Sequence, residues 1–294
     1  MAEGLFPRGT SMLRRVMDER VVSLHWGQRA LLIGALEPLA FTGTYLHSSA
    51  SRTGAYYGRM QRTHAMFEAV IQGSRSEAEQ AMARVAAMHR HVNGHVDRDI
   101  SPHHPAGTSY QADDPWLSFF TMAVLADSAM SLFEAYVGPL SPAEREDAWR
   151  DWRRFGEAFG MPPDAAPDTW IEFRRVLDGW LASDRPHLLP LARAAAVASI
   201  NLPLPGVAHR FNDLQYLLVV GDLPERVRAL HGLPWGARQA AAHAVLRDSL
   251  RRGRRLVPAR VARGRTNAAV KLVADLVDRR SRTDILRRAA TLAA

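Results

Sequence analysis

The chain has 294 residues, 47% of them hydrophobic, so it can build one large core and is not expected to be disordered. It has no cysteine, which excludes disulfides, thiolate catalysis, iron–sulfur clusters and cysteine zinc sites. The net charge of +8 would suit an anionic partner, but no aromatic residue alternates with the arginines of segment 251–265. We therefore predict no nucleic-acid partner, and a weak contact with a membrane surface stays open.

Helical patterns begin at the N-terminus. Apolar residues recur at helical spacing through most of the sequence, whereas alternating, strand-like runs are scarce. The sequence therefore predicts an all-α fold, with residues 1–25 as an N-terminal helical extension. Residues 1–16 contain arginines and lack an uninterrupted apolar run, so we expect no secretory signal and a cytoplasmic location.

A helix is predicted around residues 56–71. Met60, Thr63 and Phe67 follow its apolar stripe, and Arg59 lies one turn before Thr63, beside that stripe. An arginine and a hydroxyl at the edge of an apolar face can bind the carboxylate of a buried ligand. Pairing of the arginine with a surface acid explains the pattern as well, and the residues alone leave both interpretations open.

Histidines are concentrated in the stretch AMHRHVNGHVDRDISPHH, residues 87–104. Met82, Val85, His89 and Val92 follow one another at helical spacing on one apolar stripe, which predicts that His89 points inward. An inward imidazole needs a partner for its ring nitrogens. That partner is either a carbonyl or carboxylate of the protein or a metal ion, and spacing does not decide between them.

Helix boundaries are marked by local signals. Three helix starts carry a hydroxyl three residues before a carboxylate, the pattern of a capping box, at Ser74 with Glu77, Ser141 with Glu144 and Thr169 with Glu172. Helix ends are indicated at Gly94, Gly138, Gly160 and Pro186.

Residues 97–110 are predicted to be a loop because they contain two prolines and a glycine. The apolar run 115–137 that follows is long enough to span a membrane, but Asp127 and Glu134 interrupt it. A helix buried in the protein core is therefore the favoured interpretation. We predict one main domain over residues 26–261, with 262–294 as a basic helical tail packed on it.

The order of these motifs resembles a known family. Arg59-x-x-Arg62-Thr63, AMHRHVNG, TSYQADDPWLSFF and LADSAM occur in this order after the run ALLIGALEPLAFTGTYLHSS. The set is similar to the oxygenase family that includes MpaB-type proteins and the catalytic domain of latex clearing protein, from about Trp26 to Val261. Characterised members are all-helical and bind haem b, so the resemblance implies a single large helical domain that encloses a haem-sized apolar cavity.

The resemblance also implies roles for individual residues. His89 matches the proximal iron ligand of rubber-cleaving members, which makes it the expected metal ligand. Arg59 and Thr63 match their Arg-x-x-x-Thr pair near the haem, and Arg62 stands where they have a lysine. Tyr110 matches a family position that is either part of the cofactor site or structural.

Two positions depart from the family pattern. Met122 stands five residues before Asp127, where many members have a histidine. Glu37, just before Pro38, also stands where many members have a histidine. The residues matched above, together with Met122, form the expected cofactor-binding set: Arg59, Arg62, Thr63, His89, Tyr110 and Met122.

These observations predict a haem-b-dependent oxygenase or oxidase that acts on an apolar small molecule with O₂. The alternative, motivated by Met122, is a catalytically inactive haem or small-molecule binding protein of the same fold. The sequence identifies neither the substrate nor a catalytic acid or base.

Overall fold

The all-α prediction is confirmed by a computed structural model, which describes residues 4–47, 56–204, 208 and 210–281. The described residues form fourteen helices and one two-stranded antiparallel sheet. In chain order these are α1 (Met12–Asp18), α2 (Arg20–Gly34), α3 (Pro38–Leu46), α4 (Tyr56–Gln72), α5 (Arg75–His89), β1 (Asn93–His95), β2 (Ser109–Gln111), α6 (Pro115–Tyr136), α7 (Pro142–Ala158), α8 (Trp170–Ala182), α9 (Pro190–Ile200), α10 (Arg210–Val220), α11 (Glu225–His231), α12 (Ala237–Arg254), α13 (Ala259–Ala262) and α14 (Asn267–Ser281).

The core is organised around α6, which packs extensively on α2. Ala123, Ala126 and Ala129 of α6 are fully buried, and such small side chains allow close approach of neighbouring helices. Within the described chain α6 alone is long and apolar enough to cross a membrane, yet 72% of its most apolar stretch is buried inside the protein. The structure thus agrees with the interpretation of residues 115–137 as a core helix.

All three predicted capping boxes are present, before α5, α7 and α8. At the first of them the Ser74 hydroxyl accepts a hydrogen bond from the Glu77 N–H at 3.3 Å, and the Glu77 carboxylate accepts one from the Ser74 N–H at 2.7 Å. Gly160, with φ of +95°, follows α7 as expected. The predicted helix end at Gly94 is wrong, because α5 ends at His89.

Gly94 lies in a short hairpin that the sequence pattern did not reveal. It pairs with Tyr110, while Asn93 pairs with Gln111 and His95 with Ser109. A Cβ atom at Gly94 would lie only 2.7 Å from the Tyr110 hydroxyl, so the close approach of the two strands requires glycine there. The predicted loop 97–110 is the connection of this hairpin, and its last two residues belong to β2.

The C-terminal segment is tied to the rest of the protein by two reciprocal helix caps. The Glu68 carboxylate, near the end of α4, accepts hydrogen bonds from the N–H groups of Thr266 and Asn267 at 2.6 and 2.9 Å, at the start of α14. The Asp278 carboxylate, near the end of α14, accepts hydrogen bonds from Tyr57 and Gly58 at the start of α4. The two helices are therefore antiparallel neighbours.

The first residues also contribute to the main core, since Leu13, Val16 and Met17 of α1 are buried in it. The domain boundaries at residues 25 and 261 stay predictions, and residues 282–294 of the predicted tail lie outside the described residues.

Candidate functional site

The candidate cofactor site lies at one end of the hairpin formed by α4 and α5. Only Gly73 and Ser74 connect the two helices, so they run antiparallel and pack on each other. Arg59 is 13 residues before the end of α4, and His89 is 14 residues after the start of α5. At 1.5 Å per residue both stretches measure roughly 20 Å. The fold therefore brings Arg59 and His89 to the same end of the hairpin.

Arg59 carries a half-buried positive charge. Its guanidinium makes no hydrogen bond or ion pair with any residue in the described ranges. Burial lowers the pKa of Arg59, and the neighbouring Arg62 acts in the same direction, while Tyr56 opposes them. Arginine nevertheless stays protonated at physiological pH. A partly desolvated guanidinium without a carboxylate partner is suited to binding an anionic group of a ligand.

The other two predicted residues of α4 differ in exposure. The Thr63 hydroxyl is partly buried and donates to the Arg59 carbonyl at 3.2 Å, which is the common bond of a threonine to the preceding helical turn. Arg62 is exposed on the same helix.

His89 differs from its sequence-based expectation. Val85, one turn earlier, is buried as predicted, but His89, the last residue of α5, is exposed. No side-chain hydrogen bond of His89 is made within the described chain. The surrounding protein still lowers its pKa by partial desolvation, against the opposing effect of Asp113. The neutral imidazole, the form that binds metals, is thereby favoured at neutral pH.

Tyr110 and Met122 lie in packed surroundings. Tyr110 is buried between Gly43 and Gly94, and its hydroxyl lies 3.2 Å from Nε2 of His47. Met122 belongs to the main core and is 3% exposed, with its Cγ near Gly156 of α7. No hydrogen bond in the described structure joins either residue to Arg59 or His89. Their assignment to the cofactor site stays a prediction.

Two of the cavities among the described residues are lined by residues other than Arg59 and His89. The larger is a polar cleft of about 290 Å³ between α2, α6, α7 and α8. The smaller, of about 10 Å³ next to His64 and Glu68, has room for about one water molecule. The haem-sized apolar cavity implied by the family resemblance stays a prediction.

Sequence reasoning missed the ion pairs at the polar cleft. Asp127 is buried, with Oδ2 at 2.5 Å from Arg29 Nη1 and Oδ1 bound by Arg174. Burial alone would raise the pKa of Asp127, but the two guanidiniums together hold it below its ordinary value. Arg29 also donates to the Ser128 hydroxyl and to the carbonyl of Asp222. The only sequence signal was a carboxylate inside an apolar run, which indicated a partner without identifying it.

The donor chemistry at the end of the hairpin fits a haem. A neutral imidazole whose nitrogens bind no other described side chain could hold the iron, and a half-buried guanidinium could bind a propionate. Within the described ranges, no group of three or more histidine, aspartate and glutamate side chains could hold a metal ion. A single histidine is nevertheless enough when the porphyrin supplies the other ligands.

By its fold the protein is an all-α domain built around one buried central helix. Within this class the chain belongs to the family described as ER-bound oxygenase mpaB/B'/Rubber oxygenase, catalytic domain, which matches residues 13–259. This confirms the family that the sequence motifs resemble and makes the protein a member of an oxygenase family.

Two curated relatives are similar to this chain: an uncharacterised protein of Mycobacterium bovis and an uncharacterised protein of Mycobacterium tuberculosis. Each is 30% identical over 191 residues, which cover 63% of this chain and 70% of the relative. No solved structure matches the chain.

Proposed function

We propose that the protein is a haem-b-dependent oxygenase or oxidase that acts on an apolar small molecule. Membership of the oxygenase family supports the reaction class. The observation that carries the haem assignment is the juxtaposition of Arg59, a half-buried guanidinium without an acidic partner in the described chain, and His89 at the same end of the α4–α5 hairpin. Haem, when bound, supplies the activation of O₂.

The chain's own residues then have distinct roles in the proposal. His89 would hold the haem iron through a neutral imidazole nitrogen, and Arg59 would bind a propionate through charge-assisted hydrogen bonds. The bond from the Thr63 hydroxyl to the Arg59 carbonyl fixes that turn of α4. Arg62 adds positive charge one turn away.

Hemin titration of the haem-free protein tests the axial role of His89. We expect the wild type to develop a Soret band, and His89→Ala to bind hemin at least tenfold more weakly because the axial nitrogen is lost. His91→Ala is the matched control, since this exposed histidine lies two residues further on. Equal affinities of wild type and His89→Ala, or a larger loss in His91→Ala, would contradict the assignment.

The same titration tests Arg59. Arg59→Ala is expected to weaken hemin binding roughly tenfold while leaving the shape of the Soret band unchanged, because a propionate contact is lost and the axial ligand is kept. Arg75→Ala is the control, as this exposed arginine lies at the opposite end of the hairpin. An Arg59→Ala variant with wild-type affinity would remove Arg59 from the site.

A second function is a catalytically inactive haem or small-molecule binding protein of the same fold. Met122 favours it, because a thioether packed near Gly156 cannot transfer a proton where many family members have a histidine. Oxygen uptake by the haem-loaded protein with candidate apolar substrates distinguishes the two. Substrate-dependent uptake that is lost in His89→Ala supports the oxygenase, whereas haem binding without uptake supports the inactive protein.

A further inference from the structure

Three apolar side chains are exposed just after α12: Leu256 and Val257 in the turn that follows it, and Val261 in α13. Leu256 is 86% exposed, Val261 53% and Val257 38%. Single exposed apolar residues are common on protein surfaces, but here three lie within six consecutive residues. We call residues 252–261 the basic turn, because Arg252, Arg255 and Arg260 lie next to these apolar side chains in the chain.

The arginines near the basic turn fall into two groups. One group holds the turn in place: Arg254 and Arg263 bind the buried Glu19 carboxylate at 2.6 Å, and Arg251 donates to the Ala135 carbonyl at 2.7 Å. The second group consists of Arg252, Arg255 and Arg260. These three are exposed, and their side chains make no hydrogen bond or ion pair within the described ranges.

We propose that the basic turn docks the protein on an anionic lipid surface. The apolar side chains would enter the headgroup boundary, and the three unpaired guanidiniums would bind lipid phosphates or carboxylates. Charge complementarity supports this occupant, since no acidic residue occurs between Asp248 and Asp275. The exposed Leu256, together with the absence of aromatic residues from segment 251–265, favours lipid over nucleic acid.

Docking at the basic turn is independent of the proposed haem site. Thr266 binds Glu68, so the chain that follows the turn meets α4 near its C-terminal end. Arg59 lies nine residues earlier on that helix, roughly 14 Å away along its axis. Substitutions in the basic turn are therefore expected to leave hemin binding unchanged, and failure of either proposal can be recognised without the other.

Co-sedimentation of the full chain with vesicles tests the proposal. We expect salt-sensitive binding to phosphatidylserine–phosphatidylcholine vesicles and at least tenfold weaker binding to pure phosphatidylcholine vesicles. Replacing Arg252, Arg255 and Arg260 together by Gln should weaken anionic-vesicle binding about 100-fold, at about fivefold per arginine. The matched control replaces three exposed arginines without ion pairs elsewhere in the described chain by Gln: Arg84, Arg98 and Arg238.

The apolar contribution is tested by Leu256→Asp, which should weaken vesicle binding even at high salt. Ile171→Asp is its control, because Ile171 is 68% exposed on α8, outside the basic turn. Equal losses in variants and controls would overturn the proposal. So would tighter binding to oligonucleotides than to anionic vesicles, or a dimer that Leu256→Asp dissociates, which would assign the turn to contact between two copies of this chain.

Discussion

Asp127 is a buried carboxylate that binds two arginines in the core. Both of its carboxylate oxygens bind guanidiniums, from Arg29 on α2 and Arg174 on α8. We predict that Asp127→Asn lowers the free energy of unfolding by about 3–5 kcal/mol, because Arg29 would keep its buried charge and lose its nearest counter-charge. Urea unfolding measures this loss.

The control for this substitution is Asp178→Asn. Asp178 also binds Arg174, but its side chain is 58% exposed, so a loss below about 1 kcal/mol is expected. Equal losses in the two variants would show that burial of the Asp127 pair does not govern its energetics.

Asp222 binds Arg29, which also binds Asp127, and should make the stability of the protein depend on pH. Burial raises its pKa from 3.8 to about 6, although Arg29 Nε lies 3.0 Å from its Oδ2 and opposes the shift. Between about pH 4 and pH 6 the folded protein therefore holds a proton that the unfolded chain releases, so the stability contribution of Asp222 falls as the pH rises through this window.

Asp222→Asn should abolish the decrease in stability that Asp222 causes as the pH rises. The stability of the variant relative to the wild type is expected to increase from about pH 4 to about pH 7, measured by urea unfolding at both values. Asp97→Asn, at an exposed carboxylate, serves as the control and should follow the wild type. A constant difference between Asp222→Asn and the wild type would contradict the raised pKa.

At the scale of elements, α4 and α14 stabilise each other through their caps. Asp278→Ala leaves the first N–H groups of α4 without their acceptor and should lower the free energy of unfolding by about 1 kcal/mol. Amide hydrogen exchange should then increase at Tyr57 and Gly58. Asp275→Ala, which removes only the exposed pair with Lys271 on the same helix, is the control. Protection of α4 that is equal in both variants would contradict this role of the cap.

Local sequence signals predicted where helices begin, but contacts between residues far apart in the chain could not be predicted. Ser74, Ser141 and Thr169 form their capping boxes because a hydroxyl and a carboxylate three residues apart suffice for the motif. The caps of α4 and α14 join residues about 200 positions apart, and no sequence pattern in either helix indicates the other. The hairpin around Gly94 escaped for the same reason, since its three-residue strands are too short for alternation to be visible.

The candidate site was predictable only in part. Helical spacing placed Arg59 beside an apolar stripe, and the structure shows it half-buried. The same argument placed His89 inside, but periodicity does not predict where a helix ends, and His89 is the exposed last residue of α5. Likewise, the sequence showed only that Asp127 interrupts an apolar run, and the fold identifies Arg29 and Arg174 as its partners.

In the whole molecule, ion pairs join the N-terminal segment to the C-terminal part of the chain. The buried Glu19 carboxylate, between α1 and α2, binds Arg254 and Arg263 from the C-terminal part of the chain. Some of the arginines are thus engaged in structural ion pairs, whereas Arg252, Arg255 and Arg260 of the basic turn are exposed. These exposed arginines lie far along the chain from Arg59 and His89 at the α4–α5 end.

The proposed haem site of this helical domain depends on His89. The absorption spectrum of the wild-type protein, freshly purified from cells supplied with iron and a haem precursor, tests it. We predict a Soret band that co-purifies with the protein and persists in His91→Ala but is lost in His89→Ala. A colourless wild-type protein that also leaves added hemin unbound would show that His89 does not hold a haem.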